Sequence, residues 1–214
     1  MSSFVDVASL GVLALVGFRL VSAARVAVGP FGRSRVVTIV RGVRWRHVWP
    51  APLLLAAVGS TASVLLALVP PLRIGWWTLL GGTGNPAFGS SSLTDGTVWA
   101  RLLPLAFVAL LLPALPLFAQ REEEIFRLGA ERRSRARRAG RSLAFGLVHT
   151  LVGIPVGVAL ALGVGGAYFT HRYLRTWRAS HDRDEALLEC TRVHLAYNGL
   201  IVIAVVLVAI TGAA

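Results

Sequence analysis

Long apolar runs alternate with short arginine-rich segments along most of this chain. A helix of about 20 apolar residues is long enough to cross a bilayer. The runs therefore predict an all-α fold, a polytopic transmembrane helical bundle with about six spans. The predicted spans lie at about residues 4–28, 50–70, 98–118, 141–152, 155–173 and 185–210.

The boundaries between these spans follow from local signals. Residues 141–173 are too many for one crossing, and Gly153-Ile154-Pro155 offers a break, because proline disfavours helical backbone in the residue before it. The third span is expected to continue as a helix through the acidic residues that follow it. Residues 29–49 and 71–97 are predicted to be loops, and the Trp76-Trp77 pair in the second loop is predicted to anchor at the membrane interface.

Composition supports a membrane protein. The chain has 214 residues, of which 55% are hydrophobic and only 15% are charged, whereas a soluble domain carries about 25% charged residues. We expect a multi-pass protein of the cell membrane that folds as one integrated domain. Residues 1–97 would form N-terminal helices and loops, and residues 98–214 would form the helical core that carries the candidate chemistry.

The net charge of +12 comes from arginine alone among the basic residues. These arginines cluster at residues 29–49, 120–141 and 171–185 rather than along one nucleic-acid-binding face. Six spans place all three clusters on the cytoplasmic side, as the positive-inside rule predicts, and both termini on the other side. The lipid bilayer is therefore the expected partner of this charge, and nucleic acid is not.

Three polar motifs interrupt the apolar sequence. Ionisable and amide side chains are costly inside a membrane and usually mark a functional site there. Residues four apart share one face of a helix, so each motif presents its polar groups together. The motifs are Glu122-Glu123-x-x-Phe126-Arg127, Phe145-x-x-x-His149 and His194-x-x-x-Asn198.

In the first motif, adjacent glutamates point about 100° apart on a helix. Arg127 follows Glu123 by four residues, which is the favourable order for an ion pair on a helix. That pair would hold Glu123 charged and leave Glu122 available as a general base. The alternative is a solvated charge cluster at a helix end, which the neighbouring Arg121 and Glu124 would fit.

The other two motifs also have two interpretations. A single histidine such as His149 is often a hydrogen-bonded structural residue, and His194 with Asn198 could join neighbouring helices by hydrogen bonds. The functional interpretation is that Glu122, His149, His194 and Asn198 converge in one cavity open to the cytoplasmic side. Cys190 is expected to be a small apolar residue. The remaining histidines are predicted to be solvated in arginine-rich loops: His47, His171 and His181.

Taken in this order, the three motifs resemble those of the CAAX protease and bacteriocin-processing family of intramembrane endopeptidases. The resemblance covers about residues 115–205 and includes the apolar-Phe-Arg ending at Ile125-Phe126-Arg127. Two residues depart from the family pattern. Glu124 stands where an apolar residue is usual, and Leu128 where glycine often follows the arginine.

The resemblance implies a peptide hydrolase with a defined set of roles. Glu122 and His149 would activate a water molecule, and Glu123 and Arg127 would support the geometry. His194 and Asn198 would bind the oxyanion.

The cofactor and the substrate stay open at this point. Members of the family are often labelled metalloproteases, and Glu122, His149 and His194 are chemically suitable zinc ligands; a glutamate mechanism without bound metal is equally associated with the family. The substrate would be a peptide or protein at the membrane, either prenylated or of another kind. The alternative function is that of a non-catalytic membrane protein, an immunity factor or a regulator, that uses the same polar pocket for binding.

Overall fold

The computed structural model describes residues 2–75, 78, 84–85, 90–91 and 96–211. Within these ranges the chain is mostly helical, with short turns between the helices and two strands of two residues each, Gly84–Asn85 and Ser90–Ser91, which pair antiparallel. The α-helices are α1 Ser2–Val28, α2 Pro30–Arg41, α3 Trp45–Val48, α4 Pro50–Leu68, α5 Trp99–Phe126, α6 Arg135–Leu147, α7 Val156–Ser180 and α8 Arg183–Thr211. Short 3₁₀ turns lie at Pro70–Arg73, Ala130–Arg132 and Val148–Val152.

The all-helical prediction is confirmed for the described residues. Helices α4 and α8 fall where apolar runs predicted them, and α5 continues through the acidic motif as expected. The chain also breaks at Gly153, which adopts a left-handed backbone with φ of 87° before Pro155 opens α7. The predicted interfacial pair Trp76-Trp77 lies outside the described residues.

The predicted loop at residues 29–49 is wrong, because most of it is helical. Proline has no backbone N–H to continue a preceding helix but fits the first turn of a new one. Pro30 accordingly opens α2, whose axis is bent by 84° from that of α1. The arginine-rich segment at residues 171–185 is also mostly helical, since α7 runs to Ser180 and α8 begins at Arg183.

His47 is likewise not solvated, as the sequence suggested, but fully buried in α3. Its Nδ1 accepts a hydrogen bond from the Arg44 backbone N–H, and its Nε2 lies 2.9 Å from Glu189 Oε2 on α8. Arg46 and Arg172 bind the same carboxylate at 2.9 and 2.8 Å. A buried carboxylate requires such partners, so Glu189 draws α3 against α7 and α8.

Three stretches of the described chain are long and apolar enough to cross a membrane: Trp45–Leu68, Leu105–Arg132 and Arg183–Leu207. A fourth is reached if the bent pair of α1 and α2 counts as one span. The prediction of six spans is therefore not confirmed. One reason is that α6 has 13 residues and is about 20 Å long, which is shorter than the roughly 30 Å hydrocarbon core of a bilayer.

Close backbone contact between α6 and α7 sets the centre of the bundle. Gly146 on α6 lies against the Ala159 carbonyl and the Gly163 backbone of α7. Glycine permits this approach because it has no Cβ. The aromatic rings of Phe145 and Phe169 pack between the same two helices and α8, and they belong to the main hydrophobic core.

We expect Gly146→Ala to destabilise the protein, because the new methyl group would meet the Ala159 carbonyl oxygen. Overpacking of this kind costs about 1–3 kcal/mol, measured as the free energy of unfolding in detergent micelles. Gly140→Ala is the matched control on α6, since nothing lies within 4 Å of an added Cβ there. Alanine in a helix should leave that variant equally or more stable, by up to about 1 kcal/mol. Equal stability of the two variants would contradict the close α6–α7 contact.

Candidate active site

The polar motifs come from three parts of the fold. Glu122 and Glu123 lie in the last turns of α5, and Arg127 follows directly as its C-terminal cap. His149 lies in the 3₁₀ turn after α6 rather than within an α-helix. His194 and Asn198 lie one turn apart on α8.

Glu123 is the centre of a fully buried network. Its Oε1 lies 2.7 Å from His194 Nδ1 and 3.4 Å from Arg127 Nη1. Its Oε2 accepts a hydrogen bond of 2.8 Å from the Cys190 thiol. Glu123 and Arg127 have no exposed surface, and His194 is 1% exposed. A charged carboxylate only accepts hydrogen bonds, so the His194 ring donates from Nδ1.

Aromatic rings enclose the Arg127 guanidinium. Its Cζ lies 4.1 Å from the centroid of the Phe145 ring, with Phe126 and Phe169 at 5.6 and 5.5 Å. Its Nη2 also donates to the Gly166 carbonyl at 3.4 Å. A cation over an aromatic face is stabilised most when it is removed from water. Phe126 and Phe145 belong to the motifs but had no predicted role, and both help to hold the buried charge.

The structure also distinguishes the two glutamates. Glu122 Oε2 lies 3.5 Å from His194 Nε2, within ion-pair distance, but this buried oxygen has no hydrogen-bond partner among the described residues. His194 thus lies between the two carboxylates, with Nδ1 directed at Glu123 and Nε2 at Glu122. Glu123 is fully engaged and buried, whereas the Glu122 side chain is 30% exposed and makes no hydrogen bond through Oε2 among the described residues.

The His149 side chain is held by the backbone carbonyl of Phe145, four residues earlier in the chain. Its Nδ1 lies 2.8 Å from the Phe145 carbonyl oxygen, and its ring packs edge-on against the Phe145 ring at 5.2 Å between centroids. A carbonyl oxygen only accepts, so Nδ1 carries the proton. In the neutral ring, Nε2 is then unprotonated and can accept a hydrogen bond from a water molecule.

A cavity of about 1100 Å³ opens beside these groups. Glu122, His149 and Asn198 line it, together with mostly apolar side chains of α1, α5, α8 and the segment between α6 and α7. His194 is not among the lining residues; it lies behind Glu122 and reaches the cavity through that carboxylate. Three of the four expected groups therefore line one cavity, and the fourth, His194, lies behind Glu122.

The sequence analysis missed Cys190 and Phe169 as parts of this site. Cys190 precedes His194 by four residues, so its helical spacing indicated a shared face, although its bond to Glu123 depends on contact between α5 and α8. Phe169 stacks on the His194 ring with 4.5 Å between centroids and an angle of 26°. No local signal predicted that contact, because the two residues lie on different helices.

The sequence leaves zinc open as a cofactor, with Glu122, His149 and His194 as chemically suitable ligands. Among the described residues, no three His, Cys, Asp or Glu side chains come together as a group that could hold a metal ion. Glu122 and His194 approach each other, but His149 does not join them in such a set. The donor set present here does not fit zinc.

No protein-family model, curated protein or solved structure matches this chain. Function is therefore inferred from the geometry of the site itself.

We expect Arg127→Ala to lower the free energy of unfolding by about 3–5 kcal/mol, because it leaves the buried Glu123 carboxylate without its cation. Thermal and denaturant unfolding in detergent would measure the change. Arg121→Ala is the control, since Arg121 pairs with Glu124 while its side chain is 71% exposed, and exposed pairs contribute at most about 1 kcal/mol.

A double variant separates the lost charge from the lost packing. Glu123→Gln combined with Arg127→Met removes both charges while keeping volume, and we expect it to be more stable than Arg127→Ala alone. An Arg127→Ala protein as stable as the Arg121→Ala protein would show that the buried pair does not stabilise the fold.

Proposed function

We propose that this protein is an intramembrane endopeptidase that hydrolyses a peptide bond with a water molecule activated by Glu122. The observation that supports this most directly is the position of Glu122, whose side chain is 30% exposed and lines the same cavity as His149 and Asn198, with His194 directly behind it. The cavity provides room for both the water and a peptide.

In this mechanism Glu122 is the general base. Its carboxylate takes a proton from water while the water oxygen attacks the peptide carbonyl carbon. The proton is then delivered to the leaving amine nitrogen as the C–N bond breaks. His149, with Nδ1 held by the Phe145 carbonyl, accepts a hydrogen bond from the same water at Nε2 and orients it.

His194 acts from behind Glu122: its Nδ1 is held by Glu123, and its Nε2 lies 3.5 Å from Glu122 Oε2, so its role in this mechanism is to position that carboxylate. Asn198 stabilises the oxyanion, because its side-chain amide is a donor in the lining of the cavity. Preorganised donors of this kind lower the barrier because they need no reorientation during the reaction. Glu123 and Arg127 are positioning residues that hold the His194 ring.

The apolar cavity favours a membrane-associated peptide as substrate, with a lipidated segment as one form of it. The six-span topology belongs to the same proposal. It places the arginine-rich segments, and with them the site at the end of α5, on the cytoplasmic side of the cell membrane.

We expect Glu122→Gln to reduce peptide cleavage by about 10²–10⁴-fold, because the amide keeps the shape but cannot accept the proton. Folding and substrate capture should survive, so the variant should retain peptides that mass spectrometry can identify. Glu124→Gln is the matched control, since Glu124 bonds Gln120 and Arg121 away from His194. Its cleavage rate should stay close to that of the unchanged protein.

Two outcomes would contradict the proteolytic mechanism. One is cleavage by the Glu122→Gln protein at the unchanged rate. The other is full biological function in both the Glu122→Gln and the His149→Ala variants, which would support a binding or immunity protein instead.

The topology is tested by cysteine labelling at two introduced positions. Ser134 is exposed at the start of α6, and Ser91 lies in the segment between α4 and α5. With six spans, Ser134→Cys should react only from the cytoplasmic side and Ser91→Cys only from the other side. The native Cys190 is buried, so the unsubstituted protein is the control and should react slowly from both. Labelling of both introduced cysteines from the same side would refute the six-span arrangement.

A further inference from the structure

One arginine of α1, Arg19, lines the same cavity as the candidate catalytic groups, although it lies about 100 residues before them in the sequence. Arg19 lines the cavity together with Leu15, Val16 and Leu20 of the same helix. The lining side chains from α1 are thus apolar except for this one cation. Arg19 lies far along the chain from the three motifs, so no motif pointed to it.

Arg19 lies in the interior of α1, away from both ends of the helix, so the six-span topology of the proposed function would put it inside the bilayer. It lies nine residues before Val28, where α1 ends, which is roughly 13 Å along the helix axis. It lies 17 residues after Ser2, or roughly 25 Å. A charged side chain at such a depth usually faces a cavity and has a specific partner.

None of the hydrogen bonds or ion pairs in the described part of the chain involves Arg19. The arginines near the motifs differ, since Arg127 pairs with Glu123 and Arg121 with Glu124. Glu122 is the one carboxylate among the cavity-lining residues, and it lies next to His194 instead. The Arg19 guanidinium therefore offers unused donors to whatever occupies the cavity.

We infer that Arg19 determines specificity by binding a carboxylate of the peptide that occupies this cavity. This inference rests on the proposed function, because it assigns a role to a second part of the same site. A guanidinium binds a carboxylate through two parallel hydrogen bonds, and the interaction strengthens away from water. The carboxylate belongs either to the free C-terminus of the peptide or to an acidic side chain near it.

A lipid phosphate is the less favoured anion. Head groups lie at the interface, outside a hydrocarbon core of about 30 Å, whereas Arg19 lies well inside α1 and shares its cavity with Glu122, His149 and Asn198. Arg25 lies in the last turn of α1 and does not line the cavity, so a lipid head group would be expected to bind Arg25 rather than Arg19. Arg25 is therefore the control for Arg19 on the same helix.

The test measures peptide binding without turnover. The Glu122→Gln protein in phosphatidylcholine bilayer discs would be titrated with three fluorescent apolar hexapeptides of one sequence. One has a free C-terminal carboxylate, one has a C-terminal amide, and one has the amide with glutamate as its last residue. Each titration is repeated with Arg19→Gln and with Arg25→Gln added, and against empty discs.

We expect the free carboxylate or the glutamate peptide to bind about tenfold or more tightly than the plain amide, as for hydrogen bonds between charged groups. Arg19→Gln should abolish that preference and leave the affinity for the plain amide unchanged, which also shows that the variant is folded. Arg25→Gln should keep the preference. Whichever of the two acidic peptides binds more tightly identifies the source of the carboxylate.

Equal affinity for all three peptides, or a preference that persists in Arg19→Gln, would overturn the inference. So would loss of the preference when phosphatidylglycerol is added to the discs, since a lipid would then occupy Arg19. Cleavage by the unchanged protein is measured separately. If the protein prefers the carboxylate peptides but cleaves no peptide, the proposed protease activity is refuted and the carboxylate site at Arg19 stands. If it cleaves peptides without that preference, the protease activity stands and the role of Arg19 is refuted.

Discussion

The buried ion pair between Glu123 and Arg127 is the constraint on which the rest of the structure depends. Both side chains are completely removed from solvent, and the cost of desolvating two charges exceeds their attraction unless other partners complete the site. Those partners are His194, Cys190, the Gly166 carbonyl and the Phe145 ring. They come from α6, α7 and α8, so one pair on α5 ties four helices together at a single point.

This constraint also distinguishes the two glutamates. Because Glu123 occupies His194 Nδ1, the ring turns its Nε2 toward Glu122, and Glu122 keeps a buried oxygen without a hydrogen-bond partner. Two adjacent residues thus differ in environment, one buried in the network and one partly exposed on the cavity. Helical geometry accounts for the difference, since neighbours on a helix point about 100° apart, and within the described part of the chain only the His194 ring between them contacts both carboxylates.

A second buried carboxylate organises the arginine-rich end of the molecule. Glu189 binds His47 and Arg46 next to it, and Arg172 from α7. Arg46 and Arg172 belong to the arginine-rich segments that the positive-inside rule places in cytoplasmic loops. Through Glu189 they also hold α3 against α7 and α8. Glu189 therefore joins α3, in the N-terminal part of the chain, to α7 and α8.

The sequence by itself determined the features that depend on neighbours a few residues apart. Apolar runs predicted α4, α5 and α8, Gly153 and Pro155 predicted the break before α7, and four-residue spacing predicted the pairing of Glu123 with Arg127. Tertiary structure decided the rest: the helices inside the predicted loop, the burial of His47, the contacts of Glu123 with His194 and Cys190, and the place of Arg19 on the cavity. Each of these depends on contacts between helices far apart in the chain, and the energy of a buried charge depends on which partners those contacts bring to it.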